Sequence, residues 1–451
     1  MISTTPRTMK MPKTILLRDL PDSFFDWMDL NLPTGTSRNA FINHILTREA
    51  GRTNFQSDLF AVASEPSKVY GNLPFKFIDL FAGVGGFRCG MTAVGGQCVF
   101  TSEWDKYSAK TYQTWYSDDH VHSGDIREVD AKSDIPNHDI LCAGFPCQPF
   151  SLAGVSKKQS LGRAHGFDDE KQGNLFFSVL DIVDAKRPPV LFLENVKNLK
   201  SHDKGNTWKV ITKCLNDRNY SAHTKIIDAR QWVPQHRERI FIVCFDNTVF
   251  DHIDRDIFSF PEKPLTDDPD LGSILVTKAP DPKYMLSDKL WTYLQNYAEK
   301  HRLKGNGFGY GLFGKNDVAR TLSARYHKDG SEILIKQPRW RNPRRLTPDE
   351  ARQLMGFTDR FAQMFGHENG FPQVVSDTQA YRQFGNAVVP LAVEAVARSI
   401  VDVMVMRLMI NNECLLKGRA FKGENAKTKK LNLDTTVLAK TSLPAELAME
   451  V

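Results

Sequence analysis

One cysteine in a proline-bounded turn has the clearest chemical potential in this chain. Cys147 lies in GFPCQPFS (144–151), with Pro146 before it and Pro149 after it, directly downstream of the apolar run 140–143. Proline fixes φ and disfavours helix in the residue before it, so the pattern predicts a stiff, non-helical turn at a strand end. A thiolate there could act as a nucleophile. Burial as an ordinary small apolar residue is the alternative interpretation.

A carboxyl group and two arginines are the predicted partners of that thiol. Glu194 follows the apolar run 190–193, which would place it beside Cys147 at the same sheet edge. A Glu that holds a proton could donate to a ring nitrogen while a thiolate attacks the ring of a heteroaromatic base. Because free cysteine has a pKa of about 8.5, the thiolate needs nearby positive charge. Arg237 and Arg239 could supply it, although a surface ion-pair strip is the alternative.

Strands that alternate with helices are predicted to position these residues. The sequence predicts a helix over 87–94 and strands over 75–80, 99–101, 139–143, 190–193 and 240–245. This order indicates a doubly wound α/β fold, which binds ligands at the carboxyl ends of its strands. A glycine turn at 83–86, followed about twenty residues later by Glu103, is typical of a site whose acid binds ribose hydroxyls. The same pattern also fits dinucleotide enzymes, so the fold leaves the function open.

Composition indicates an ordinary globular protein. The chain has 451 residues, of which 41% are hydrophobic and 25% charged, enough for two or three domains. It contains no apolar run of bilayer length, and its amino terminus lacks the apolar core of a signal peptide, so we expect a cytoplasmic protein without a membrane partner. The seven cysteines are scattered without a C-x-x-C pair, which predicts free thiols rather than a disulfide framework or a zinc site.

The net charge of +6 is concentrated in one segment. Residues 302–345 contain eleven Lys and Arg against three Asp and Glu. Aromatic residues interleave with these charges, namely Phe308, Tyr310, Phe313, Tyr326 and Trp340. A basic, aromatic face suits a polyanion such as nucleic acid, whereas solvated loops are the alternative interpretation.

Eight motifs in a fixed order resemble those of the DNA cytosine-5 methyltransferases. They are FAGVGG (81–86), SEWDKY (102–107), GDI (124–126), GFPCQPFS (144–151), ENV (194–196), QHRER (235–239), RRLTPDEARQLMGF (344–357) and QFGNAVV (383–389). The resemblance spans nearly all of residues 73–400. It implies a Rossmann-like S-adenosylmethionine-dependent fold and methyl transfer to a cytosine flipped out of double-stranded DNA. An RNA methyltransferase on the same scaffold is an alternative, which the length of the predicted recognition region disfavours.

The resemblance gives each predicted catalytic residue a role. Cys147 would attack C6 of cytosine, which makes C5 nucleophilic enough to accept a methyl group. Glu194 would engage N3 and the exocyclic amine, while Arg237 and Arg239 would orient the base and support the thiolate. The segment 151–173 resembles a mobile loop that closes over DNA.

The resemblance also implies a pocket for S-adenosyl-L-methionine and no metal. Within it, Phe81 would contact the adenine and Glu103 the ribose, and the glycines would permit close approach to the methionine part. The residues implied to form the pocket are Phe81, Gly83, Gly85, Glu103, Trp104, Asp125, Ile126, Leu175, Asn386 and Val388.

Two stretches resemble EcoRII-type methyltransferases, which modify the inner cytosine of CCWGG, and relatives that act on CCNGG. They are GNGFGYGLF (305–313) and RTLSARYHKDGSEILI (320–335), inside a predicted target-recognition domain at 250–343. Arg and Lys can read guanine edges, each good pair contributing roughly 1–3 kcal/mol of discrimination. The residues predicted to contact DNA are Gln148, Ser151, Lys157, Lys158, Arg163, Arg320, Thr321 and Arg325.

The amino-terminal segment suggests a second function. Residues 13–51 have a strand, helix, helix pattern that resembles the ribbon-helix-helix repressors. Such a domain would dimerise and bind operator DNA, so the protein would also regulate a restriction-modification operon, whereas methylation needs only a monomer. A docking appendage is the alternative. The predicted divisions are an amino-terminal domain at 1–55, a linker at 56–72, a catalytic domain at 73–249 completed by 380–412, a connection at 344–379 and a tail at 413–451.

Overall fold

A computed structural model gives the fold of the central part of the chain. It describes residues 75–117, 120, 122–146, 175–250, 258–263, 268–276, 281–306, 309–338 and 341–416, the last twelve of them by backbone alone. The predicted amino-terminal domain, the linker, Cys147 and the predicted loop 151–173 lie outside the described residues, as does the tail from residue 417.

Seven strands form the central sheet in the order β3-β2-β1-β4-β5-β7-β6. They are β1 (Phe75–Leu80), β2 (Gly96–Ser102), β3 (His122–Ser123), β4 (Ile140–Ala143), β5 (Val190–Val196), β6 (Tyr220–Asp228) and β7 (Glu238–Asp246). The strands from β3 to β5 pair in parallel, whereas β7 is antiparallel to both β5 and β6. The predicted doubly wound arrangement is therefore confirmed for five strands, and the sheet ends in an antiparallel edge.

Among the longer strands of the central sheet, the edge strand β6 is the one that the sequence pattern does not predict. Most of its residues are half-buried or exposed, and Ser221, His223, Thr224 and Lys225 interrupt any apolar run. Its neighbour β7 and the next strand, β5, both extend beyond their predicted ends, and β5 pairs with β7 along its whole length. That pairing sets Glu194 opposite Phe241 and Val196 opposite Arg239, which brings two predicted site residues to adjacent strands.

The described residues form nine helices. They are α1 (Gly86–Ala93), α2 (Lys106–Tyr116), α3 (Leu175–Lys186), α4 (Asn206–Asp217), α5 (Asp288–Leu303), α6 (Pro348–Leu354), α7 (Asp359–Met364), α8 (Asp377–Asn386) and α9 (Pro390–Leu416). Local sequence explains several helix starts. The Asp105 carboxylate accepts hydrogen bonds from the backbone at the start of α2, and Thr347 and Glu350 form a capping box at the start of α6.

Both faces of the central sheet are buried, because side chains alternate along each strand. The side chains on the face toward α1, α2 and α9 include Phe77, Cys142, Phe192 and Val243. The side chains on the face toward α3 and α4 include Ile78, Leu141, Leu193 and Ile242. Strands that are covered on both faces appear in sequence as continuous apolar runs, which is why they were predictable.

A second, smaller sheet has two strands in the predicted target-recognition domain at 250–343 and a third at the start of the predicted connection. Its strands β8 (Leu312–Phe313), β9 (Leu334–Ile335) and β10 (Arg344–Arg345) pair in the order β10-β9-β8. Leu294 of α5 packs with Leu286 and Leu334 in a separate small core. Other buried residues of this region, among them Leu271, Leu322 and Ile333, pack in the main core.

The cysteines that the structure describes are poor nucleophiles. Cys89, Cys98, Cys142, Cys214 and Cys244 are buried and free. Burial raises the pKa of each thiol, to about 12 for Cys89, so the thiolate is scarce at neutral pH. The described ranges contain no group of three potential metal-binding side chains. Nor does any helix there combine the length and apolar character needed to cross a bilayer.

Candidate active site

The carboxyl ends of four parallel strands converge on one edge of the sheet. Phe81 follows β1, Glu103 follows β2, Gly144 follows β4 and Glu194 lies near the end of β5. Ligands of open α/β sheets bind at such an edge. The topology therefore brings the predicted cofactor residues and the predicted catalytic acid to the same side of the molecule.

Glu194 is a buried acid held by Arg239. Arg239 Nε lies 3.1 Å from Glu194 Oε1, and Glu194 is 9% exposed. Burial raises the pKa of Glu194, although the charges of Arg239 and Arg237 act in the opposite direction. This carboxyl therefore keeps its proton to a higher pH than an exposed glutamate and can donate a hydrogen bond.

The backbone that leads to Cys147 is fixed against β5. Asn195 Nδ2 donates to the Phe145 carbonyl at 2.7 Å, and a Cβ at Gly144 would lie 3.6 Å from Glu194 Oε2. The described stretch 122–146 ends at Pro146, the residue directly before the cysteine. Asn195 has no predicted role, yet its position beside Glu194 at a buried strand end is a signal that could have identified it.

Arg237 differs from its neighbour Arg239. It is 1% exposed, and its Nη atoms donate to the carbonyls of Leu322, Gly385 and Ala387 at 3.0, 3.0 and 2.7 Å. Burial and the adjacent charge of Arg239 lower its pKa to about 9, so it remains a cation at neutral pH. These donors are directed to backbone carbonyls in the interior, and Arg239 is the arginine that contacts the acid.

Arg237 belongs to a joint between the segment 319–325 and the helix end at 385–387. Gln235 is fully buried there: its Oε1 accepts from Leu322 N at 2.7 Å, and its Nε2 donates to the Leu354 carbonyl at 3.1 Å. At Gly385 a Cβ would lie 2.3 Å from the backbone of Ser323 and Ala324. Only glycine permits this crossing.

The glycine turn after β1 contacts the acid at the end of β2. Gly83 N donates to Glu103 Oε2 at 2.7 Å, and Asp105 N donates to Oε1 at 2.7 Å. Phe81, Gly83 and Gly85 all adopt positive φ angles, of 56°, 58° and 80°. Burial raises the pKa of Glu103 while these N–H groups favour its charged form. The carboxylate is thus oriented, and each oxygen retains a lone pair.

The end of β2 is tied to the loop after β3. Ser102 Oγ donates to the Gly124 carbonyl at 2.9 Å, which places Asp125 and Ile126 beside Glu103. Asp125 caps the short helix Ile126–Glu128, and its carboxylate also pairs with Arg127. Ile126 is buried, whereas Trp104 is 76% exposed.

The three remaining predicted pocket residues lie at different depths. Val388 is buried against the glycine turn, since a Cβ at Gly86 would lie 2.3 Å from its carbonyl oxygen. Leu175, at the start of α3, packs on the same apolar cluster as Phe81. Asn386 is exposed at the end of α8. The structure thus brings the turn, Glu103 and Val388 together.

The predicted DNA-contacting residues that the structure describes lie on the segment 319–325. Arg320 and Arg325 are exposed, and Thr321 Oγ1 donates to the His236 carbonyl at 2.5 Å. Gln148, Ser151, Lys157, Lys158 and Arg163 lie outside the described residues. The charge excess of 302–345 is not all at the surface, because Arg344 is buried and forms a bidentate pair with Glu350 at 2.7 and 2.8 Å.

The residues that form this edge of the sheet lie within a match to a known protein family. Residues 75–402 match the C-5 cytosine-specific DNA methylase family. The chain belongs to this family. Membership makes the protein a DNA (cytosine-5)-methyltransferase and implies S-adenosyl-L-methionine as its methyl donor. The predicted family and enzyme class are therefore confirmed.

Several curated relatives of this methyltransferase are bacterial. It is 46% identical over 384 residues to the DNA-cytosine methyltransferase of Escherichia coli, an alignment that covers 74% of this chain and 79% of the relative. Identity is 47% over 330 residues to the type II methyltransferase M.NlaX of Neisseria lactamica, covering 72% and 96%. It is 45% over 334 residues to the type II methyltransferase M1.ScrFI of Lactococcus lactis, covering 73% and 79%.

Solved structures confirm the fold. The Dnmt2 methyltransferase of S. pombe superposes with a TM-score of 0.55 at 15% identity, covering 74% of this chain and 99% of that one. A DNMT2 variant of Spodoptera frugiperda gives 0.53 at 18% identity, covering 73% and 99%. At such identities the likeness supports the methyltransferase fold alone.

The described edge of the sheet fits the implied methyl donor. No atom of the described residues lies within 4 Å of a Cβ placed at Gly83, so that side of the turn is not covered by the described part of the chain. Glu103 presents oriented oxygens suited to ribose hydroxyls, and Trp104 offers an exposed aromatic surface suited to an adenine. When bound, S-adenosyl-L-methionine would supply the methyl group at this edge.

Proposed function

We propose that this methyltransferase modifies C5 of the inner cytosine in CCWGG or CCNGG through a covalent bond between Cys147 and C6 of a flipped-out base. The observation that carries this proposal is the buried carboxyl of Glu194, held 3.1 Å from Arg239 beside the backbone that leads to Cys147. The stretches 305–313 and 320–335 support the choice of target, because they resemble EcoRII-type and CCNGG enzymes.

In the proposed mechanism the chain supplies a nucleophile and an acid. The Cys147 thiolate adds to C6, and the ring electrons move toward C5 while Glu194 donates its proton to N3. Arg239 keeps the acid in place and adds positive charge near the thiolate. After methyl transfer, water takes the C5 proton, and the C5–H electron pair forms the C5=C6 double bond as the S–C6 bond breaks and Cys147 leaves as a thiolate. N3 then returns its proton to Glu194, which restores the aromatic ring and the acid.

Arg237 has a supporting role in this proposal. Its donors already bind three carbonyls of the joint, so it would position the cofactor turn and the segment 319–325 rather than touch the base. Direct orientation of the base falls to Arg239. The proposed cofactor pocket keeps the ten predicted residues, with Phe81, Glu103 and Trp104 as its centre.

Flipping the target base is part of the proposal, because cytosine inside a stacked duplex cannot reach Cys147. The exposed Arg320 and Arg325 would contact DNA from one side. Lys157, Lys158, Arg163 and the neighbouring Gln148 and Ser151 would contact it from the predicted loop. We infer a cytoplasmic enzyme that acts on chromosomal DNA, as expected from its bacterial type II relatives.

Bisulfite sequencing tests the proposed activity and target together. In cells without their own cytosine methyltransferase, expression of the full chain should protect the inner cytosine of CCWGG or CCNGG sites from conversion. Cells that express Cys147→Ala supply the control and should show no protection. Protection in unrelated contexts would contradict the target. Modified cytosine in RNA alone would instead favour the RNA methyltransferase alternative.

A regulatory role for residues 1–55 is a second proposal, which rests on their strand, helix, helix sequence pattern. Deletion of residues 1–60 should abolish binding to DNA upstream of the protein's own gene, as measured by mobility shift. The same deletion should leave methylation of plasmid DNA within about twofold of the full chain, because the family match begins at residue 75. Loss of methylation in the deletion would contradict this division.

A further inference from the structure

Tyr116 lies directly beneath the glycine turn of the proposed cofactor pocket. It is the last residue of α2 and is 5% exposed. Its hydroxyl donates to the Val84 carbonyl at 2.8 Å and lies 3.1 Å from the Gly85 carbonyl. One buried hydroxyl therefore contacts two consecutive carbonyls of the turn.

The two sides of the turn differ in the space around them. At Gly85, where φ is 80°, a Cβ would lie 2.4 Å from both Cε2 and the hydroxyl oxygen of Tyr116. At Gly83, where φ is 58°, a Cβ would meet no atom of the described residues within 4 Å. The inner side of the turn is thus filled by the tyrosine, whereas the outer side is open as far as the described residues extend.

Tyr116 is itself fixed by its surroundings. Its ring packs edge-on against Tyr112 and Phe365, with centroids 4.5 and 4.6 Å away. The Cys89 sulfur lies 3.3 Å from its hydroxyl. Burial raises the pKa of Tyr116 well above its usual value, so the phenol remains a hydrogen-bond donor at physiological pH. A donor of this kind holds its acceptors in one arrangement.

We propose that Tyr116 is a positioning residue for S-adenosyl-L-methionine. By fixing the Val84 and Gly85 carbonyls, it keeps the Gly83 N–H on Glu103 and the open side of the turn toward the cofactor. The inference rests on the cofactor pocket proposed above. It adds a buried residue behind the turn that would set the geometry of the proposed cofactor-binding residues.

Tyr112 offers a matched control from the same buried cluster. Its hydroxyl accepts from Thr101 Oγ1 at 3.1 Å and donates to Asp79 Oδ2 at 3.4 Å. In the described part of the chain it forms no hydrogen bond with the turn. Tyr112→Phe therefore removes a buried tyrosine hydroxyl without altering the contacts of Val84 or Gly85.

The test measures binding of S-adenosyl-L-homocysteine to the full chain by calorimetry, together with steady-state methylation. We expect Tyr116→Phe to bind it roughly 5- to 20-fold more weakly, as for loss of one well-placed hydrogen bond. The KM for S-adenosyl-L-methionine should rise by the same factor, while kcat and the KM for DNA stay within about twofold. Tyr112→Phe should bind like the wild type. Thermal unfolding of both variants checks that each is folded.

Three results would overturn the inference. Wild-type affinity in Tyr116→Phe would show that the hydroxyl has no positioning role. Equal weakening in Tyr112→Phe would assign the effect to the general stability of the cluster. A wild-type chain that does not bind S-adenosyl-L-homocysteine would instead refute the proposed pocket, and the role of Tyr116 with it.

Discussion

Replacing Cys147 with alanine is expected to abolish methyl transfer while S-adenosyl-L-homocysteine binding remains unchanged. Without the thiolate, C5 of cytosine is not made nucleophilic, so methyl incorporation into DNA should fall by at least about 10⁴-fold. Tritium transfer to a duplex that contains CCWGG and CCNGG sites measures the loss. Calorimetry with S-adenosyl-L-homocysteine measures the retained binding.

Cys142→Ala is the matched control for that variant. Cys142 lies on β4, five residues before Cys147, and it is fully buried with a strongly raised pKa. Its replacement should lower stability slightly and leave methylation. DNA with 5-fluorocytosine at the target should trap a covalent complex with the wild type and with Cys142→Ala but not with Cys147→Ala. A trapped complex that forms without Cys147 would disprove its assignment.

Glu194→Gln is expected to give the second largest effect, a loss of about 10²–10⁴-fold in kcat. Glutamine keeps the shape of the side chain and the packing against Gly144, but it cannot transfer a proton to N3. The KM for S-adenosyl-L-methionine should change little, because Glu103 rather than Glu194 contacts the glycine turn. Single-turnover methylation at saturating cofactor would measure the effect on the chemical step.

The raised pKa of Glu194 also predicts how kcat depends on pH. Burial raises the pKa of Glu194, so the proton-donating form persists to higher pH than in a free glutamate and is lost as pH rises further. Wild-type kcat should therefore fall on the alkaline side as Glu194 ionises, and Glu194→Gln should lack that decline. Glu238→Gln is the control, since Glu238 is a partly exposed acid on the neighbouring strand, paired with Lys197. An unchanged alkaline limb in Glu194→Gln would argue against the proposed donor.

Much of the fold was predictable because burial leaves a direct mark on sequence. The strands β1, β4, β5 and β7 are covered on both faces and appear as apolar runs, and Glu103 and Glu194 follow such runs where parallel strands end. The ordered motifs then predicted the cofactor and the reaction through their resemblance to a known family. Hydrophobic periodicity alone indicates neither. The edge strand β6 was not predicted, because an edge strand is only partly buried. The polar residues of β6 also show no clear alternation with apolar ones.

Side-chain direction was less predictable than position. Two arginines separated by one residue have the same type and motif, yet Arg239 contacts Glu194 whereas Arg237 binds carbonyls from two distant segments. The burial of Arg237 depends on contacts with residues 322, 385 and 387, which no local pattern contains. Tyr116 was missed for the same reason, since its hydroxyl contacts backbone atoms of a segment that is remote in sequence.

The joint at Gln235 and Arg237 has a consequence for how the recognised DNA sequence could change among related enzymes. Both residues contact Leu322 through its backbone N–H and carbonyl, and Ala319 also pairs with this strand region through backbone atoms. Such contacts do not depend on which side chains the segment carries. The proposed DNA contacts Arg320 and Arg325 could therefore be exchanged in evolution, or by grafting a segment from a relative, while the attachment to the catalytic core is retained. Under the proposed function, new sequence specificity would arise here without a new scaffold.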